Sequence, residues 1–199
     1  MSIKKSLLLM GLTTFGAIPF ISSAESNSHH GYIDSPPSRA LLCSTRISLN
    51  KNCGPIMYEP QSVEGPKGFP QGGPPDGKIA SAGISQFNQL NEQGANRWHH
   101  VTINKGINDF KWTLTARHST TSWQFFITKP DWDPNKPLTR AQFDLNPFCE
   151  HFDNGKQPAQ NVSLTCNVPE RSGYHVILGV WTISDTNNAF YQVIDVDIK

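Results

Sequence analysis

The chain has 199 residues, with 37% hydrophobic and 17% charged side chains and a formal net charge of +1. Lys4, Lys5 and Glu25 all fall within the first 29 residues, so the remaining 170 carry equal numbers of basic and acidic side chains. A balanced chain lacks the basic footprint that nucleic acid or an anionic membrane selects, so neither is an expected partner.

Lys4 and Lys5 precede an apolar run from Ser6 to Ile21, and small residues follow at Ser22-Ser23-Ala24. A charged start, a short apolar core and a small-residue exit make an export signal, with no stop-transfer flank that would turn it into an anchor. No later segment approaches about 18 continuous apolar residues, so the protein is expected to be secreted without a membrane span. Residues 1–29 are assigned to the signal and residues 30–199 to one domain, long enough to bury a core of its own. Cleavage after Ala24 or after Ser28 fits the small-x-small preference; cleavage after His29 fits it less well but leaves His30 first.

That choice matters because of the junction Ser28-His29-His30-Gly31-Tyr32. A histidine at the start of a mature chain offers a metal its ring nitrogen and a free α-amino nitrogen in one chelate. One further histidine completes a three-nitrogen site, a donor set that suits copper among the first-row metals.

Four cysteines in an exported chain read as two disulfides, with three possible connectivities. Cys43 with Cys53 and Cys149 with Cys166 is the most local of these, and each bridge would stabilise by about 2–4 kcal/mol. A zinc cluster is disfavoured, because no C-x₂₋₄-C pair is present.

From Cys53 to Arg97 the chain is rich in Pro and Gly and holds no periodicity, yet it carries Tyr58, Val63, Phe69, Ile79, Ile84 and Phe87. An ordered loop of this length is commonly functional, with room for a short helix or two between Ser81 and Gln93. After it, Phe110 to Ala116 alternates apolar and polar residues, the period of a half-buried strand. Ser122 to Lys129 forms a second strand, with Trp123, Phe125 and Ile127 on one face. Tyr174 to Trp181 is apolar on both faces, as a covered central strand requires. Phe190 to Ile198 alternates again, placing Ile194, Val196 and Ile198 inward and Asp195 and Asp197 outward. Several such strands separated by turn residues predict an all-β sandwich.

His118 follows the strand 110–116 in Ala116-Arg117-His118-Ser119, where alternation gives way to a polar loop. A histidine at a strand end can project into a site, although a chain with seven histidines makes one such position weak evidence. No G-x-S-x-G or H-E-x-x-H occurs, so serine-hydrolase and zincin chemistry lack their local geometry. Glu59 and Glu64 offer two carboxylates for glycoside hydrolysis, with exposed loop acids the plainer reading. Asn161-Val162-Ser163 fits the glycosylation acceptor pattern.

Longer stretches carry a resemblance. They are His30-Gly31-Tyr32 with Ser35-Pro36 and Arg39-Ala40, then Tyr58 to Gly65 and Lys67-Gly68-Phe69-Pro70. Further on come Leu114 to Trp123, Phe126 to Pro130, Arg171-Ser172-Gly173, His175 to Leu178, Val180-Trp181, Asp185-Thr186 and Asn188 to Gln192. In this order they resemble the bacterial chitin-binding proteins of the auxiliary activity family 10 lytic polysaccharide monooxygenases, across essentially the whole chain after His29. Between Cys43 and Cys53 this sequence is longer than in the small single-domain members.

The resemblance implies a fibronectin-III-like or immunoglobulin-like β-sandwich with a long loop region between the first strands and a flat face carrying one copper ion. It implies a histidine brace of His30 and His118, an axial aromatic at Phe190, a small residue above the metal at Ala116 and an acid beside the oxygen pocket at Glu64. It places chitin contacts on Tyr58, Glu59, Glu64, Asp185 and Asn188, with the 54–97 loop building most of the docking face. The family's two disulfides fall on Cys43–Cys53 and Cys149–Cys166. The expected activity is C1 oxidation of β-1,4 links in crystalline chitin by a monomer supplied with an electron donor and O₂ or H₂O₂. A non-catalytic adhesin using the same face is the alternative.

Overall fold

Nine strands form within residues 30–199, the part of the chain described by this computed structural model. The expected signal segment, residues 1–29, lies outside the described residues. In chain order the strands are β1 (Gly31–Ser35), β2 (Glu64–Pro66), β3 (Val101–Ile103), β4 (Gly106–Leu114) and β5 (Thr120–Ile127). They continue with β6 (Cys149–Lys156), β7 (Asn161–Val168), β8 (Gly173–Ile183) and β9 (Asn188–Ile198). One sheet has the order β1-β4-β7 and the other β2-β9-β8-β5-β6, with β3 also pairing with β9.

Alternation along each strand sends one row of side chains between the sheets. Phe110, Trp112 and Leu114 of β4 meet Trp123, Phe125 and Ile127 of β5, together with Ile177 and Trp181 of β8 and Phe190 and Ile194 of β9. The two cysteine pairs are Cys43–Cys53 and Cys149–Cys166, with Cα atoms 5.9 and 5.5 Å apart. The second joins β6 of the larger sheet to β7 of the smaller one.

β8 is apolar on both faces because the larger sheet is covered twice. Its outer face, with Phe126, Val176, Leu178, Val180, Tyr191 and Val193, packs against Ile56, Phe69, Ile79, Phe87, Leu90 and Trp98 from the Pro- and Gly-rich region. That region is ordered because it is a second core wall. It contains 3₁₀ turns at Gly54–Tyr58 and Ser85–Asn91, the latter inside the span expected to hold a short helix.

Asp195 departs from expectation. The outer face of β9 is covered by a short helix, α1 (Arg39–Cys43), so Asp195 is fully buried rather than solvent-facing. Arg39 supplies the compensating charge: its Nε donates to Asp195 Oδ2 at 2.8 Å and its Nη2 to Oδ1 at 2.6 Å. Arg39 Nη1 donates to Leu90 O at 2.7 Å, and the Tyr174 hydroxyl donates to Asp195 Oδ1 at 2.7 Å. The neighbouring carboxylate keeps the Arg39 guanidinium charged despite its burial, while burial, with Asp195 close by, pushes the Tyr174 hydroxyl upward.

Arg39→Met therefore strands a buried carboxylate and is expected to cost about 3–5 kcal/mol in denaturant unfolding. Adding Asp195→Leu should recover part of that loss.

His175 is also buried, with Nδ1 2.9 Å from Thr128 Oγ1; burial and then the Arg171 charge lower its pKa to about 4, from 6.5. The unfolded chain thus binds a proton between those values that the folded chain refuses. Its stability contribution is complete above pH 6.5 and falls as the pH drops towards 4, with a slope of at most about 1.4 kcal/mol per unit. Unfolding of His175→Gln at pH 7 and pH 5 should lack that slope.

Candidate functional site

The position of His30 is set by where β4 stops. Its carbonyl accepts hydrogen bonds from Thr115 N at 2.8 Å, Ala116 N at 3.2 Å and Thr115 Oγ1 at 3.2 Å. The Thr115–His30 bond continues the β1–β4 register one pair beyond Gly31–Leu114, and β4 itself ends at Leu114, two residues short of the strand expected over 110–116. Gly31 N donates to Gln61 O at 3.2 Å, and Gly31 pairs with Leu114. A Cβ on Gly31 would lie 2.8 Å from Leu114 Cδ2 and 3.1 Å from Trp181 Cζ3, so any larger residue would have to displace the buried Leu114 side chain.

His118 comes from the turn between β4 and β5. Thr120 Oγ1 donates to His118 O at 3.1 Å and accepts from Trp181 Nε1 at 2.8 Å, while Ser184 N donates to Ser119 O at 2.8 Å. The residue is only 8% exposed. Phe190 meets both rings, with centroids 5.8 Å from His30 and 6.2 Å from His118. Behind it Phe190 stacks on Trp181 at 4.8 Å, and Trp181 stacks on Trp123 at 5.1 Å. A rigid aromatic column thus supports the two imidazoles.

Around this centre the structure gathers most of the expected residues. Glu64 faces Phe190 across the β2–β9 ladder, and its Oε1 accepts from Asn188 Nδ2 at 2.9 Å. Asp185 Oδ1 lies 3.6 Å from His118 Nδ1. Ala116, half-buried, reaches His30 through its amide. Tyr58 ends the Gly54–Tyr58 turn and is 75% exposed, an aromatic face free to stack on a ring. Glu59 follows it and makes no side-chain hydrogen bond or ion pair among the described residues. Only the first part of the 54–97 region supplies expected docking residues; its apolar side chains pack on the sheet instead.

Among the described residues no three His, Cys, Asp or Glu side chains come together. The two imidazoles that meet Phe190, His30 and His118, are the nitrogen donors the site offers, with the His30 main chain anchored beside them. Phe190 offers no lone pair from its side of the site, so the residues present match a nitrogen-only donor set of the kind copper accepts.

Three contributors escaped sequence reasoning. Thr115 and Trp181 sit inside stretches that carry the resemblance, but nothing in their types announces a tether and a platform. Lys67 is the third: its Nζ donates to Ile183 O at 3.2 Å and Thr186 O at 2.5 Å, and its amide to Asn187 O at 3.0 Å. It thereby clamps the β8–β9 turn that presents Asp185.

Residues 30–196 match the family model described as lytic polysaccharide mono-oxygenase, cellulose-degrading. The chain belongs to the lytic polysaccharide monooxygenases of auxiliary activity family 10. It is similar to GlcNAc-binding protein A of Photobacterium profundum, 52% identical over 176 residues covering 84% of this chain and 36% of that protein. The Vibrio vulnificus GlcNAc-binding protein A is 54% identical over 175 residues, covering 84% and 36%. This chain therefore spans little more than a third of the length of these curated relatives. Among solved structures, an AA10 LPMO from Photorhabdus luminescens is 56% identical with a TM-score of 0.84, covering 85% of this chain and 99% of that one. A Bacillus amyloliquefaciens CBM33, described as in complex with Cu(I) after photoreduction, is 44% identical with a TM-score of 0.78, covering 85% and 100%.

Replacing Lys67 with Met should free the turn at residues 184–187. Hydrogen exchange of its amides is expected to rise at least about tenfold, with protection in β8 retained.

Proposed function

We propose that the chain is exported, cut so that His30 becomes its first residue, and acts as a secreted copper-dependent monooxygenase on crystalline chitin. The observation that carries this is the triple-tethered His30 main chain beside His118, both rings against Phe190. Membership of the monooxygenase family and the Cu(I) complex of a relative support it. The family model's description names cellulose, whereas the curated relatives are named for GlcNAc; their high identity favours an N-acetylglucosamine polymer.

In this reading His30 holds one copper ion through its ring and unblocked amino nitrogen, and His118 through its ring. Copper held there supplies the one-electron and oxygen chemistry that hydroxylates C1 at the β-1,4 link, given an external electron donor and O₂ or H₂O₂. Phe190, against both rings, would present only carbon to a metal held by them, and Ala116 would add little bulk beside it. Glu64, oriented by Asn188 and paired across the ladder with Phe190, would place a carboxylate beside the two histidines. Tyr58 stacks on a sugar ring, while Glu59, Asp185 and Asn188 bond hydroxyl and amide groups along the chain. A monomer suffices, because every group invoked comes from one copy.

Removing the His29–His30 bond is the decisive chemical event, since an amide nitrogen at that position cannot serve as the amine ligand. Mass spectrometry of the exported protein should find His30 first. Copper-loaded protein with ascorbate should release chitin oligosaccharides with aldonic-acid ends, absent with EDTA or in His118→Ala. Native-ended sugars released without reductant would overturn the reading, as would a mature chain starting at Glu25.

A further inference from the structure

The inward row of β9 reads Phe190, Gln192, Ile194, Val196 and Ile198, and Gln192 is its only polar member. The residue is 1% exposed. Burying an amide between two sheets is costly unless hydrogen bonds compensate it, so its partners explain why glutamine interrupts an apolar row.

Both partners of its nitrogen are carbonyls. Gln192 Nε2 donates to Pro60 O at 3.0 Å and, at the long end of hydrogen-bond distance, to Gly31 O at 3.5 Å. A carbonyl only accepts, so the amide nitrogen has to face these two, and Oε1 is turned into the interior. There no donor of the described residues reaches it. Packing alone would select an apolar side chain at this position. Glutamine is bonded only at the end that meets the two main-chain segments.

The identity of those segments gives the contact its meaning. Gly31 directly follows His30, and Pro60 follows Tyr58 and Glu59. Gly31 N also donates to Gln61 O at 3.2 Å, so Gly31, Pro60–Gln61 and Gln192 close a ring of three hydrogen bonds. Gln192 stands two residues beyond Phe190 on the same face of β9. The ring therefore joins the strand whose Phe190 meets both imidazoles to the His30 main chain and to the turn carrying Tyr58. We propose that Gln192 is a positioning residue that locks the His30 main chain to the Tyr58–Gln61 segment, so that the metal-binding and docking halves of the site keep one relative placement. It touches neither metal nor substrate. The linkage belongs to the metal-free chain and rests on the proposed function only for what its two halves bind.

The test compares the mature wild-type protein with Gln192→Met, which keeps length and volume but loses the amide. Val193→Ala, on the outer face of the same strand, is the destabilised control. In metal-free Gln192→Met, hydrogen exchange should rise about tenfold at Ala116, bonded to His30 O, and at Ser62, bonded to Glu59 O, with β8 still protected. Its Cu(II) paramagnetic resonance spectrum should shift, and metal-free binding to β-chitin should weaken about threefold or more. Val193→Ala should lose thermal stability yet keep the wild-type spectrum and exchange at both amides. Gln192→Glu, which when neutral has one O–H to donate, should fall between wild type and Gln192→Met and serves if the methionine variant does not fold. Wild-type exchange at Ala116 and Ser62 in the Gln192 variants would overturn the linkage, as would the same rise in Val193→Ala. Raised exchange with an unchanged spectrum or unchanged chitin affinity would overturn it as well. Failure of the wild-type protein to bind copper would instead overturn the proposed function, with the exchange data still deciding the linkage.

Discussion

The His30 carbonyl, held by two amides and one hydroxyl from Thr115 and Ala116, is the contact on which the rest of the site depends. Here three hydrogen bonds, each worth about 1 kcal/mol net, fix a peptide plane at the mouth of the fold. The Thr115 bond is the last rung of the β1–β4 register, and the Ala116 amide and Thr115 hydroxyl add two further donors to the same oxygen. The same segment then runs only as far as His118, so both imidazoles are positioned by the two sides of a single strand end.

Rigidity comes from covering the larger sheet on both faces. On the inner face Phe190, Trp181 and Trp123 stack in sequence and support the two histidines. On the outer face Arg39 and Asp195 tie α1 to β9 inside an apolar wall, in a geometry where every charge has a partner. A buried pair of this kind contributes little net stability but strongly penalises any arrangement that separates its members. It therefore specifies how α1 sits.

The sandwich was legible because β4, β5, β8 and β9 carry their alternation or their two-faced apolarity in the residues themselves. β6 was not, since Cys149–Lys156 is almost wholly polar and its strand is held by edge pairing rather than by a buried face; β7 does alternate, burying Leu164, Cys166 and Val168, and was missed although its pattern is in the residues. Asp195 was misread for a related reason: alternation identifies which residues share a face, but not whether a distant segment returns to cover it. His30, His118, Phe190, Glu64 and Asn188 were reached by resemblance, and the structure brings them together. Thr115, Trp181 and Lys67 act through a main-chain donor, a stacked ring and a cation on carbonyls, roles that residue type does not declare.

On the proposed reading, the groups that would hold a metal and the groups that would meet the substrate lie at different positions along the chain, and this bears on specificity. His30 precedes β1, His118 lies in the β4–β5 turn and Phe190 sits in β9, where it belongs to the core between the sheets. Tyr58 and Asp185 belong to turns, pinned by a 3₁₀ segment and by Lys67. Chitin and cellulose present the same β-1,4 link to the metal and differ at the C2 substituent. Nothing in a two-imidazole site can sense that difference, so discrimination has to come from side chains that meet the acetamide. Tyr58 and Glu59 are turn residues remote from the histidine rings in their contacts, whereas Asp185 stands 3.6 Å from His118, so a change at Asp185 would be felt by both functions.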